Sequence, residues 1–266
     1  MISENRLYAR DYLTRLAASG RYHFESSDAQ KALGVSPAAT KLALNRLAKH
    51  GLIASPARGF YVIIPPEYQS LGSLPADQFI PALMQRLGLT YYAGLLTAAQ
   101  YHGAAHQRPQ EFQVMLAKSR RPLISGAVRV AFFVRKDIAA IPTQSFNTPR
   151  GTVLVSTPEA TAVDLVGYPN HIGGLDQAAT VLGELAETLN AEKLVAAAQT
   201  APMPWAQRLG YLLTKAGAGD RTEALKSYVR QHARQSAVLL PTAPHDEAAR
   251  DDDWKLIVNV EVEPEL

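Results

Sequence analysis

Between Leu7 and Ile64 the apolar residues fall into three helical stripes followed by two short extended runs. Leu7, Tyr8, Tyr12, Leu13 and Leu16 recur at the three- and four-residue spacing of one helix face, which predicts a helix over about 3–19, stopped by Gly20. A second helix is expected over about 27–33, with Ser27 as its cap and Gly34 as its turn. The third starts at Ser36, a capping residue followed by Pro37 at the position where a missing N–H costs nothing, and ends at Gly51. Leu44, Leu47 and Ala48, with Thr40 as a fourth member, are its expected core face. Residues 52–54 and 60–64 read as strands, and the SPARG run 55–59 between them as a turn. Three helices and a two-stranded wing in this order predict a winged helix-turn-helix.

Pro65-Pro66 directly follows the apolar run 60–64 and cannot continue a strand ladder, which places a domain boundary between 65 and 66. Beyond it, helices are expected at 77–87, 91–102, 158–167, 175–189, 191–200, 204–216 and 222–234. Strands are expected at 111–117, 128–135, 143–147 and 152–156. A last one is expected at 254–263, where Leu256, Val258 and Val260 alternate with Ile257, Asn259 and Glu261. This is neither a regular βαβ series nor a barrel. The expected fold class is α+β: an N-terminal winged helix-turn-helix (1–65) followed by a larger mixed α/β C-terminal domain (66–266).

Charge sharpens this division. The chain carries a net +3, too little to mark the whole as a polyanion binder. Residues 1–64, however, hold nine Lys and Arg against four Asp and Glu, while the remaining 18 bases face 20 acids. The positive charge sits in the small N-terminal part, where phosphate contact would need it. Hydrophobic and charged fractions of 47% and 19% are those of a globular protein, and no apolar run approaches the roughly 18 residues of a membrane span. The start MISENRLYARDYL lacks the apolar core of a secretory signal, so none is expected. The absence of cysteine excludes disulfides and thiolate metal sites and fits a cytoplasmic protein.

If Leu44 and Leu47 point inward, then Pro37, Ala38, Lys41, Asn45 and Lys49 point outward. Asn45 suits adenine, Lys41 guanine or phosphate, and Ala38 a thymine methyl. Arg46 and Lys49 suit backbone phosphates, and Arg58 at the wing tip a phosphate or a minor groove. The competing reading is a winged helix that binds protein and no DNA. Elsewhere, His102 and His106 are four apart, but HGAAH is not a metalloprotease motif, and a helix C-terminus favours histidine by its dipole alone. Glu159 and Asp164 in STPEATAVDLV offer a carboxylate pair. Their plain reading is a helix start, with Thr157 capping, Pro158 following, and Asp164 taking a hydrogen bond or an arginine partner. The basic stretch KSRRPLISGAVRVAFFVRK (118–136) reads as a hairpin turning near Gly126, and serves either as a second nucleic-acid contact or as a charged, solvated sheet edge. The acidic run HDEAARDDDW (245–254) reads as a solvated loop. No catalytic triad, Walker loop or dinucleotide fingerprint is present, so no catalytic residue, metal or cofactor is expected.

Four segments in consistent order, GFYVIIPPEY (59–68), YYAGLLTAAQYHGAAHQRPQEFQV (91–114), VSTPEATAVDLV (155–166) and WKLIVNVEVEPEL (254–266), make the chain resemble the AbiEi antitoxins, the regulator half of two-gene bacterial abortive-infection systems of type IV. The resemblance implies an N-terminal winged helix that binds repeats in the promoter of its own operon and represses it. It also implies a C-terminal domain that counteracts a nucleotidyltransferase-type toxin, with or without stable contact. The family brings no catalytic residues; for DNA contact it points to the third helix and wing, here Ser36, Ala38, Lys41, Asn45 and Arg58. Lys118, Arg120, Arg121, Arg129, Arg135 and Lys136 are the candidate antitoxin surface. The competing classes are a nucleic-acid-modifying or nuclease enzyme delivered by the winged helix, and a pure interaction module.

Overall fold

A computed structural model of the chain describes residues 7–104 and 109–264. They divide into two compact units that the chain visits alternately: the first takes residues up to 91, 110–134 and 145–154, the second 92–109, 135–144 and those from 155 onward.

The first unit opens with α1 (Ala9–Ala18), β1 (His23–Glu25), α2 (Ser26–Leu33), α3 (Pro37–Lys49), β2 (Ile53–Ala57) and β3 (Phe60–Ile63). Tyr12 and Leu13 of α1, Ala29 and Leu33 of α2, and Leu44 and Leu47 of α3 meet in one buried cluster with Phe24, Ile53 and Ile63. Thr40 is buried with them, but Ala48 is exposed, because it lies one helical step beyond Leu47 and points away from the core. As expected, Ser36 caps α3, its hydroxyl accepting the Ala39 N–H at 3.3 Å. The cap of α2 differs: the helix begins one residue earlier, Glu25 is the capping residue, and the Asp28 carboxylate accepts the Glu25 N–H at 3.2 Å. Ser27 therefore lies inside the helix.

The wing has three strands in the order β1-β3-β2. Three residues are too few to show a period, so β1 left no pattern in the sequence; it pairs antiparallel with β3, Phe24 opposite Tyr61. β2 runs on to Ala57 instead of stopping at Ala54, with a register shift between the two. Pro56 occupies that irregularity, where a residue with no N–H breaks no ladder bond. The turn thus shrinks to Arg58-Gly59, and Gly59 takes the positive φ of 73°.

The chain continues through two 3-10 turns, Pro66–Leu71 and Ala76–Gln78, to α4 (Ile80–Leu87), so the helix expected at 77–87 is split at Phe79. β4 (Tyr91–Ala93) and α5 (Leu95–Tyr101) replace the helix expected at 91–102, with paired tyrosines favouring extended chain and Gly94 separating the two. β5 (Phe112–Leu116), β6 (Leu123–Ser125) and β7 (Val128–Val134) return to the first unit. β5 and β7 are parallel, and β6 turns back on β7 as the expected hairpin. Side chains alternate along a strand, so Phe60 and Val62 of β3 join a second core with Leu74, Phe79, Leu83, Met84, Leu123 and Val130, while Ile63 joins the first. Arg150 braces the same unit. Its guanidinium lies 4.0 Å from the Tyr22 ring centre and donates to Glu67 at 2.8 Å, holding that carboxyl below its ordinary range.

β8 (Thr143–Thr148) and β9 (Gly151–Ser156) form a hairpin whose tip belongs to the first unit. In the second, β4 and β9 run parallel at Ala93 and Val155. Then follow α6 (Pro158–Gly167), α7 (Leu175–Leu185), α8 (Ala191–Gln199), α9 (Met203–Lys215), α10 (Glu223–His232), β10 (Ala237–Val238), β11 (Ala249–Asp251) and β12 (Leu256–Val258). α6 is buried at every position from Glu159 to Val166 and packs on α5, α7, α8 and α9. α7 ends four residues before the expected 189, passing into a 3-10 turn. The expected strand 254–263 survives only as β12, flanked by β10 and β11. Beyond it the Asn259 side chain takes over, accepting the Leu240 N–H at 3.0 Å and donating to the Leu240 carbonyl at 2.9 Å. Among the described residues no helix is long and apolar enough to cross a membrane.

Trp254 is buried on α9 against Gly210, where an added Cβ would sit 2.0 Å from the indole ring. Gly210→Ala is therefore expected to destabilise by about 1–3 kcal/mol despite alanine's better helix propensity, read as a lower denaturation midpoint. An unchanged midpoint would mean that the ring is free to shift.

Candidate nucleic-acid interface

The buried row Thr40, Leu44 and Leu47 leaves the other side of α3 to solvent, and Ser36, Pro37, Ala38, Lys41, Asn45, Arg46 and Lys49 are all exposed there. The helix contains no acid. Among the described residues, no carboxylate pairs with Lys41, Arg46 or Lys49, whereas Arg21 and Arg86 nearby are bound to Asp28 and Glu25 at 2.7 and 3.1 Å. Three free cations and one carboxamide along a helix face can meet phosphates and base edges.

Arg58 is exposed at the wing tip, as its place in the turn required. Its backbone is pinned from below: Arg86 of α4 donates to the Arg58 carbonyl at 3.2 Å, and the Ser26 N–H donates to the Gly59 carbonyl at 3.0 Å. Arg86 also lies within 6.0 Å of the Phe60 ring centre. It is a positioning residue for the wing that sequence reasoning missed, since nothing local links residue 86 to residue 58. Leu42 was missed too. It is 58% exposed on the same side of α3, for which sequence reasoning considered only small and polar residues.

The basic stretch 118–136 separates into two kinds of residue. Lys118, Arg121, Arg129 and Lys136 are exposed and Arg120 half-buried, its guanidinium 5.6 Å from the Phe132 ring centre. Arg135 is no surface residue: it is 3% exposed in the second unit. Its Nε donates to Asp164 Oδ1 at 2.9 Å, and its remaining nitrogens reach the Thr200 carbonyl and hydroxyl at 3.1 and 3.2 Å. The sequence places it in a basic run, but the strand end turns it inward onto a buried carboxylate. Tyr92 donates to the other Asp164 oxygen at 2.6 Å, and Trp205 lies 5.1 Å beneath the guanidinium. Burial pushes the Asp164 carboxyl up, opposed by Arg135 and the Tyr92 hydroxyl. Burial beside that carboxylate also raises the Tyr92 phenol, and pushes the Tyr168 phenol up to about 12. This is a saturated structural network, matching the expected arginine partner.

Glu159 is 4% exposed and accepts the Asn190 N–H at 3.1 Å. With both carboxylates buried and engaged, the Glu159–Asp164 pair is not offered to a substrate. His102 follows α5, with Nε2 2.7 Å from the Ser156 carbonyl; burial lowers its basicity. His106, its suggested metal partner, lies outside the described residues, among which no group of three or more metal-ligating side chains converges.

Two family models match the chain: the AbiEi antitoxin C-terminal domain over residues 92–215, and the AbiEi antitoxin transcriptional regulator over residues 10–64. The crystal structure of the RV2827C protein from Mycobacterium tuberculosis is similar over 95% of this chain and 92% of that one, with a TM-score of 0.67 and 19% identity, which supports the fold. No curated protein matches.

Proposed function

The chain belongs to the AbiEi antitoxin family, whose regulator and antitoxin domains it carries in that order, and on this footing we propose that it represses its own operon through repeated half-sites in the promoter. The observation that carries the reading is the acid-free outer face of α3, with Lys41, Asn45, Arg46 and Lys49 exposed and Arg58 presented by the braced wing tip. Residues 1–65 are the DNA-binding module in this reading, with Ser36 and Ala38 at the close-approach end of the helix. So few strong base contacts give specificity when two copies occupy adjacent repeats, since a neighbouring copy raises effective concentration without new contacts. Binding to a promoter fragment with two repeats is expected to be cooperative; a single-site isotherm on that fragment would contradict it.

The part from 66 to 266 counteracts, in the cytoplasm, a partner toxin of nucleotidyltransferase type. Lys118, Arg120, Arg121 and Arg129, all of the first unit, are the candidate surface, without Arg135 and Lys136, which belong to the second. A second reading of the same cations is extra phosphate contact, favoured by one observation: Leu123 and Val130 of their hairpin share a core with Phe60 and Val62 of the wing. Charge reversal at Arg121 and Arg129 decides between them. Lost toxin neutralisation with intact promoter binding supports the antitoxin surface; the converse supports the DNA contact.

A further inference from the structure

Leu42 lies at the centre of the exposed face of α3. Ala38 and Arg46 are four residues away and Asn45 three, so all three flank it on one side of the helix, opposite the buried Thr40, Leu44 and Leu47. A single exposed leucine is ordinary on a protein surface. Lys41, Arg46 and Lys49 are exposed on the same helix, none of them ion-paired among the described residues, and the apolar residues one turn before Leu42 are only the small Ala38 and the half-buried Ala39. An apolar spot of that size is smaller than the apolar core of a protein interface, and the cations near it suit a polyanion. It suits the major groove, where phosphates flank the entering helix and the C5-methyl of thymine is the apolar group on the base edges.

We propose that Leu42, backed by Ala38, reads a thymine methyl and is a specificity-determining residue of the recognition helix. The proposal rests on the DNA-binding reading above.

The test uses the full chain and duplex DNA from immediately upstream of its own gene, with each thymine replaced in turn by uracil, which removes the methyl and keeps the pairing. Wild type is expected to bind about fourfold more weakly when the contacted methyl is removed, the effect of burying one such group. Leu42→Ala, at an exposed position, is expected to fold normally, bind the thymine duplex more weakly and show no further loss with uracil. Sensitivity to uracil that persists in Leu42→Ala at every thymine where wild type shows it, or its absence in wild type that still binds the fragment specifically, would overturn this inference alone. Wild type that binds the upstream fragment no better than unrelated DNA would overturn the regulator reading and this inference with it. A changed mass of the free Leu42→Ala protein by light scattering, with uracil sensitivity intact, would place Leu42 between copies of the chain and overturn it too.

Discussion

Asp164→Ala is expected to lower the unfolding free energy by about 3–5 kcal/mol, because it leaves the Arg135 guanidinium charged and unpaired in the core of the second unit. Arg135 is 3% exposed, out of reach of bulk solvent, and the Tyr92 hydroxyl loses its acceptor in the same step. Since a domain has only about 5–15 kcal/mol in hand, the variant stands near the limit of folding. A companion keeps the test informative: Asp164→Leu combined with Arg135→Met removes both charges and is expected to recover most of the loss, as apolar replacement of buried ion pairs does. Urea denaturation of the wild type and both variants checks this. A loss below about 1 kcal/mol in the single variant, or a double variant no better than the single, would show that the pair is not the keystone of α6.

The second large effect concerns separation of functions. Lys41→Ala combined with Asn45→Ala is expected to cost about 2–6 kcal/mol in promoter binding, the sum of two base contacts of ordinary size. Both side chains are exposed and neither supports the core, so stability is expected to stay within about 0.5 kcal/mol of wild type. Repression of a reporter should fail while protection against the co-expressed toxin persists. Loss of both activities in a folded variant would show that neutralisation itself needs the recognition helix.

Local signals made most of the N-terminal fold readable. Ser36 and Pro37 announce α3, the row Thr40, Leu44 and Leu47 sets its rotation, and Arg58-Gly59 marks the wing tip. What failed there was what depends on partners: β1 is a strand because β3 accepts it, and β2 extends past Pro56 because the bulge absorbs the proline. In the rest of the chain helices were mostly recovered, being long enough to show a period, whereas β4, β10 and β11 are two or three residues long and carry none. The exposed face of α3 followed from its core by subtraction. Leu42 falls on that face by the same subtraction but was passed over as a contact because it is apolar, and Arg135 was misplaced because its carboxylate partner is 29 residues away.

The measurement that tests the central claim most directly is a gel shift with DNA from just upstream of this gene, at two salt concentrations, comparing wild type with the Lys41→Ala/Asn45→Ala variant. A specific shift that weakens steeply with salt, as counterion release by Lys41, Arg46, Lys49 and Arg58 requires, and that the variant loses, is the predicted result. A folded wild type that gives no shift beyond that of unrelated DNA would contradict the account and leave the winged helix as a protein-binding module.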